Sequence, residues 1–362
     1  MKILIATGIY PPEIGGPATV IKKLADDLMS AGHDVQVVTY GEPRPEKFVH
    51  AVSRNGGKIQ RYFRMASAIR KNISSETMVL ATDVFSVGIP ARLALIGKKN
   101  RFRLRLGGEW WWEDSVEKGR TDLPLREFWR LRKRDWRERI ARANYGWILH
   151  RTERMAVTSN LLGEVLRRIC PKIAAKISVV TNASIGGPLA GDSMKPHEPL
   201  RLAYVGRFAK VKNVPFLAQT LKRINAQTMI VECSFAGDGP TLDETKRILE
   251  GVPGMAFLGK ITQPDVSALL RESDVLVLPS LTDICPNIVL EALTAGTPAV
   301  MTSENGLPKD LGGIIELPPT DMDVWVKTLE SLVDREKYGR LQTSIRLPSM
   351  TGSSLFDFVT TI

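Results

Sequence analysis

In residues 279–300, PSLTDICPNIVLEALTAGTPAV, two carboxylates stand eight positions apart, Asp283 and Glu291, on either side of Pro286-Asn287. The stretch predicts a buried strand end, an irregular loop, the start of a helix and a second strand. A loop entering a helix points backbone N–H groups outward, and that end of a helix favours negative charge. Carboxylates accept hydrogen bonds from hydroxyls while the amides donate to an anion. The pair therefore suits a ligand that is both hydroxyl-rich and anionic, such as a nucleotide sugar. Upstream, Gly206-Arg207-Phe208 is followed by Lys212. The glycine permits a tight turn at a strand end, Arg207 can fork onto a diphosphate, and Lys212 adds a point charge. Alone, these two cations would read as a solvated basic loop; their place at the same sheet edge as Asp283 and Glu291 favours a binding role.

Three other segments carry candidate chemistry. Gly15-Gly16, after Pro11-Pro12, allow close backbone approach to a phosphate or sugar at a helix start, or make a plain left-handed turn. The run 106–114, LGGEWWWED, ends a strand at Gly107-Gly108 and then offers Glu109, three tryptophans and Asp114. Aromatic faces stack on sugar rings, and Glu109 or Asp114 could take a proton from an acceptor hydroxyl. The competing reading is that the tryptophans pack a core or an interface. Residues 124–154 predict a long basic amphipathic helix or helix pair, with Leu125, Phe128, Trp129, Trp136, Ile140 and Trp147 near helical spacing. A basic face beside an aromatic one fits a membrane surface; equally, the aromatic stripe is what a buried helix face requires.

These residues need positioning elements, and the hydrophobic pattern supplies them twice. Strands are expected at 2–9, 35–39, 77–81, 102–106, 155–158 and 177–180, with an amphipathic helix at 19–31 closed by Gly32. Residues 185–199, rich in Gly and Pro, read as a linker. A second series then begins, with strands at 201–206, 229–237, 255–259, 274–280, 297–301 and 313–317, and helical segments between them. The expected fold is α/β: two Rossmann-like doubly wound domains facing a central cleft. Expected boundaries are 1–185 for an acceptor-side domain, 186–199 for the linker, 200–345 for a nucleotide-sugar-binding domain, and 346–362 for a C-terminal helix returning to the first domain.

A chain of 362 residues suits two such domains. Its three cysteines, Cys170, Cys233 and Cys285, imply no disulfide framework or zinc site, which points to a reducing, cytoplasmic compartment. The N-terminal apolar run reads as a first buried strand, and no stretch reads as a membrane span. Charge is divided unevenly. Residues 1–200 hold 34 Lys and Arg against 20 Asp and Glu, whereas residues 201–362 hold 16 against 19. A basic first half suggests an anionic partner, such as lipid headgroups or a phosphorylated acceptor.

In sum the chain resembles the retaining GT-B glycosyltransferases of family 4, the glycosyl transferases group 1. The likeness lies in the order of Gly206, Arg207 and Lys212, the Gly237-Asp238-Gly239-Pro240 turn, FLG at 257–259, DVLVLPS at 274–280, and an acidic pair spaced as in that family's E-x7-E element. The resemblance implies that Arg207 and Lys212 bind the donor diphosphate and stabilise the leaving nucleotide's charge. By the same likeness Glu291 holds ribose hydroxyls, Asp283 contacts the donor sugar, Asn287 and Ile288 offer backbone N–H groups, and Gly16 approaches the donor. It implies sugar transfer from a UDP-, GDP- or ADP-linked donor to a saccharide or lipid-linked acceptor. No cofactor or metal is implied, because Arg, Lys and a helix N-terminus can do the electrostatic work. Three departures stand out. The first acid is Asp283 rather than Glu, Ile284-Cys285-Pro286 replace the usual Gly-Phe-Gly, and Gly107-Gly108-Glu109 occupy the region of a family histidine, making Glu109 the candidate catalytic substitute. Alternatives are an epimerase or phosphorylase on the same fold, or a catalytically inactive basic protein that binds membrane or nucleic acid; no nucleic-acid module is present and no nucleic-acid partner is expected.

Overall fold

The computed structural model describes residues 1–13, 16–131, 136–180, 196–226, 230–347 and 354–361. The chain divides into two compact units. The first comprises Met1–Trp111, Leu131–Ala183 and Thr351–Ile362, and the second Trp112–Arg130 and Ser184–Met350.

In the first unit a parallel sheet is built from β1 (Lys2–Thr7), β2 (Asp34–Tyr40), β3 (Val49–Val52), β4 (Met78–Ala81), β5 (Phe102–Leu106), β6 (Arg154–Val157) and β7 (Ile177–Val179). Their order is β3-β2-β1-β4-β5-β6-β7, and all the pairings are parallel. β4 and β5 are buried at every position, as strands covered on both faces must be. Helix Gly16–Ser30 lays Ile21, Leu24, Ala25 and Leu28 on the core, a stripe at helical spacing. It ends where Gly32 adopts φ +80° and the amides of Gly32 and His33 return to the carbonyls of Met29 and Leu28 at 2.9 and 3.0 Å. The helix thus begins three residues before the sequence pattern suggests. β3 was not expected at all.

The chain's last helix, Leu355–Thr360, belongs to this unit. Phe358 and Val359 join the core of β1, β2 and β4, each worth about 1.5–3 kcal/mol of burial. Arg103, fully buried on β5, explains how a charge is tolerated there. Its guanidinium donates to the carbonyls of Phe358, of Val359 at 3.2 Å and of Thr361 at 2.6 Å, with Glu153 at 3.6 Å.

The second unit repeats the plan with β8 (Leu200–Val205), β9 (Val231–Ala236), β10 (Met255–Gly259), β11 (Val275–Leu278), β12 (Ala299–Thr302) and β13 (Ile314–Leu317), in the order β10-β9-β8-β11-β12-β13, again parallel. One face packs Leu217, Leu221, Trp325 and Leu329, the other Leu270, Val289, Ala292 and Leu293. Most of the expected linker falls outside the described residues. Where the chain reappears, Asp274 receives the amides of His197 and Arg201 at 3.1 and 2.7 Å, fixing the entry into β8. At the other end, the Gly312 amide meets the Arg346 carbonyl at 3.1 Å, so residue 346 still belongs to this unit. The expected boundaries placed 112–130 with the first domain; the chain contacts place it with the second.

Candidate active site

Strand order reverses between β8 and β11, and open α/β sheets bind ligands at the carboxyl ends beside such a switch point. The loop after β8 carries Arg207 and Lys212; the loop after β11 carries Asp283. Two glycines fix the first loop. Gly237 and Gly239 have φ of +134° and +153°, and a Cβ at Gly237 would lie 1.9 Å from the Gly206 carbonyl oxygen. Only glycine allows this approach. The amides of Gly206 and Phe208 donate to Ala236 and Asp238, each at 3.0 Å, welding the loop to its neighbour.

Arg207 is exposed, and among the described residues its guanidinium has no protein partner. Lys212 ends the short helical turn Lys210–Lys212, after which left-handed Asn213 redirects the chain into helix Val214–Ile224. Its ammonium lies 2.6 Å from Asp283 Oδ2, which also accepts from Ser280 Oγ at 3.2 Å. Asp283 is only 5% exposed, and its backbone is pinned on both sides: its amide donates to Glu304 and its carbonyl accepts from Gly306. The acid is rigid; its counter-ion is a flexible lysine that an incoming anion can compete for.

Helix Asn287–Thr294 follows Asp283. The Asn287 amide is already taken by the Cys285 carbonyl at 3.0 Å, so it does not point freely at a ligand as expected. Ile288 sits in the first turn, where helix amides lack an intrahelical acceptor. Glu291 lies one turn on and accepts from Gln263 Nε2 at 2.8 Å. Burial raises its carboxyl above the usual range, and the Gln263 bond opposes that rise.

Two expected residues lie in the first unit. Gly16 opens its helix, exposed, with nothing within 4 Å of where a Cβ would stand; neither sterics nor φ demands glycine there. Glu109 follows β5 but is fully buried. It accepts from the Tyr145 hydroxyl and from the Trp111 amide at 3.1 Å. A carboxylate so engaged fixes the turn into helix Trp110–Glu117 and does not suit a base awaiting an acceptor hydroxyl. Asp114 is likewise held, by Lys118 at 2.7 Å and Arg120 at 2.8 Å. Of the three tryptophans, Trp112 is core, donating from Nε1 to the Leu123 carbonyl at 2.8 Å, while Trp110 is 40% exposed with its ring against Phe85 and beneath Lys58.

Residues 199–335, which contain β8 to β13, match the family model described as glycosyl transferases group 1. The fold is that of the GT-B glycosyltransferases, and residues 199–335 carry the resemblance to group 1. A glycogen synthase from Mycobacterium tuberculosis is 23% identical over 334 residues, covering 85% of this chain and 79% of that protein. A UDP-Gal:alpha-D-GlcNAc-diphosphoundecaprenol alpha-1,3-galactosyltransferase from Escherichia coli is 28% identical over 162 residues, 42% of this chain and 41% of its own. Among solved structures, a sucrose-phosphate synthase from Thermosynechococcus elongatus superposes with a TM-score of 0.72 at 15% identity, over 94% of this chain and 92% of that one.

One residue whose charge environment overlaps this site escaped sequence reasoning. Glu113 lies on helix Trp110–Glu117, in the part of the chain that joins the second unit. Desolvation raises its carboxyl above the usual range; Lys212 pulls it down, Asp283 and Glu117 push it up, and Arg207 pulls it down again. It therefore shares the electrostatic environment of the switch-point charges. The signal available in the sequence was a helical spacing within WWWEDSVE, masked by the tryptophans.

Proposed function

We propose that the enzyme transfers a sugar from a nucleotide-sugar donor to a saccharide or lipid-linked acceptor, with retention at the anomeric carbon and without a metal. The observation that carries this reading is the Lys212–Asp283 pair at the switch point, with exposed Arg207 on the same loop as Lys212 and Glu291 eight residues beyond Asp283. In the reaction the bond between the anomeric carbon and the donor phosphate oxygen breaks, and Arg207 and Lys212 draw the developing negative charge onto the diphosphate. The acceptor oxygen bonds to the same face of that carbon. Its proton passes to the departing phosphate oxygen, which removes the need for a separate base. Asp283 accepts from a hydroxyl of the sugar, Glu291 from the ribose, and the Ile288 amide donates to phosphate. The Escherichia coli relative, whose name contains UDP-Gal, makes UDP-sugars the first donors to try.

A panel of UDP-, GDP- and ADP-sugars in a thermal-shift assay tests the donor site. One donor is expected to stabilise the wild type and to lose its effect in Glu291→Ala; no shift with any donor would overturn the reading.

The lipid-linked acceptor and a peripheral, cytoplasmic-face location rest on the first unit's surface. Ile59, Phe63 and Trp136 are exposed by 74, 65 and 63%, with Ile140, Trp147 and Trp110 also open. Lys58 sits over Trp110 at 5.4 Å and Arg92 over Trp147 at 4.9 Å. Among the described residues no helix is long and apolar enough to cross a membrane, so insertion would be shallow and charge-assisted. Flotation with anionic vesicles at low salt is the check; absence of binding there would remove the membrane part alone.

A further inference from the structure

Asp283 can serve a ligand only if its loop holds it in one place, and three ties fix that loop. The Leu281 amide donates to the Val211 carbonyl at 3.0 Å, joining the loop to the turn that carries Lys212. The Asp283 amide donates to the Glu304 carbonyl at 2.8 Å and its carbonyl accepts from the Gly306 amide at 2.9 Å, joining it to the segment after β12. The third tie comes from the excursion Trp112–Arg130, which lies between β5 and β6 in sequence and belongs to the second unit. The Leu125 amide donates to Thr282 Oγ1 at 2.9 Å, and the same hydroxyl donates to the Leu281 carbonyl at 2.8 Å.

The excursion is anchored firmly enough to act as a support. Leu125 opens helix Leu125–Arg130, where helix amides lack an intrahelical acceptor, so Thr282 caps a helix from 157 residues away. Leu125 and Trp129 are buried, and buried Trp112 closes the segment on the Leu123 carbonyl at 2.8 Å. Arg126, on the same helix, pairs with Glu304 Oε1 at 3.3 Å, while Glu304 Oε2 is buried and has no partner among the described residues. A carboxylate so placed depends on its counter-ion to stay where it is. The excursion therefore grips both residues that hold Asp283: Thr282, its chain neighbour, and Glu304, the acceptor of its amide.

We propose that Thr282 and Arg126 are positioning residues for Asp283: through them the excursion Trp112–Arg130 holds the acid in register with Lys212 and so sets the affinity for the sugar part of the donor. The inference rests on the donor reading above and goes beyond it by making a segment outside the region matched by the family model part of the donor site. Neither side chain has to touch the ligand. A misplacement of about 1 Å, caused by a change away from the reacting groups, can cost about 10²-fold.

The test is calorimetric titration with the nucleoside diphosphate alone and with the nucleotide sugar selected by the thermal-shift panel. Thr282→Val, which keeps the shape and removes the hydroxyl, should lower nucleotide-sugar affinity about 10- to 100-fold and leave diphosphate affinity unchanged. Thr282→Ser, which keeps the hydroxyl, should restore most of the loss. Arg126→Ala alters a partly exposed side chain, so it carries the test even if Thr282→Val fails to fold; it should lower nucleotide-sugar affinity about 2- to 5-fold. A double-mutant cycle decides whether the effect runs through the acid: in an Asp283→Ala background, Thr282→Val and Arg126→Ala should add nothing. Losses of the same size in that background, or equal losses for diphosphate and nucleotide sugar, would mean that the excursion merely supports the fold. Those outcomes, or full sugar affinity in both Thr282→Val and Arg126→Ala while Asp283→Ala loses it, overturn the proposal and leave the donor reading intact. Full sugar affinity in Asp283→Ala itself, or a wild type that binds neither compound, overturns both.

Discussion

The two sheets share one strand order through their first six strands, and each places an aspartate just beyond the strand at its switch point, Asp83 after β4 and Asp283 after β11. The two acids are used in opposite ways. Asp83 is spent on its own backbone: it caps the Val84–Gly88 turn, accepting from the Ser86 hydroxyl and the amides of Ser86 and Val87, the last at 3.2 Å. Burial raises its carboxyl, and those bonds offset part of the rise. Asp283 is spent on a lysine, 2.6 Å away. A backbone cap cannot be exchanged without unfolding the turn, whereas a lysine can be shared with a phosphate. Topology alone therefore marks both crevices, and only the chemistry of the partner separates an acid committed to its own backbone from one held by an exchangeable side chain.

The sharpest way to break the comparison is Arg207→Ala. Removing one preorganised charge from a leaving diphosphate should lower kcat by about 10²–10³-fold, with urea unfolding unchanged because the side chain is exposed. Unaltered turnover would place the reaction elsewhere. Next comes the pair itself. Lys212→Ala leaves a nearly buried carboxylate without its counter-ion and should cost roughly 2 kcal/mol in urea unfolding, less than the ~3–5 kcal/mol of a fully buried pair because Lys212 is partly open to water. Asp83→Ala orphans the cap and should cost about 1–2 kcal/mol, yet leave donor affinity at the second unit unchanged. If Asp83→Ala weakened donor binding as much as Lys212→Ala does, the contrast between the two aspartates would be lost.

The smallest effect is in pH. Glu113 and Glu291 both have carboxyls raised mainly by burial, so the folded enzyme holds their protons more tightly than the unfolded chain. The unfolded chain then binds fewer protons, and stability falls as pH rises from the ordinary glutamate range through the folded-state values. The thermal midpoint of the ligand-free enzyme should decline over that window, and the decline should be shallower in Glu113→Gln. An identical slope in the two proteins would show that Glu113 is ionised freely and lies in water.

Much of this was legible in the sequence. The six strands of the second unit follow the expected series because continuous runs such as VLVL and AVMT have no other stable home than a sheet covered on both faces. The Asp283–Glu291 spacing placed a loop acid and a helix acid correctly, since loop and helix are both local. β3 was missed because VHAV is short and only half-buried. Glu109 looked available because the group that takes it, Tyr145, lies 36 residues further on. Glu113 was invisible for the same reason on a larger scale. Its surroundings depend on the Leu125–Thr282 bond, which spans 157 residues, and no local pattern encodes a partner that distant.

The path of the chain has a consequence for how the molecule is made. The polypeptide passes from one unit to the other at four places, and helix Leu355–Thr360 supplies both core side chains and the carbonyls that satisfy Arg103. A ribosome delivers those carbonyls after every strand of both sheets. Until then β5 carries a buried guanidinium with its main acceptors missing, and the unit that begins first is the one completed last. A nascent chain halted before Leu355 should therefore show a finished second sheet beside a protease-sensitive first one, the reverse of the order in which they are encoded.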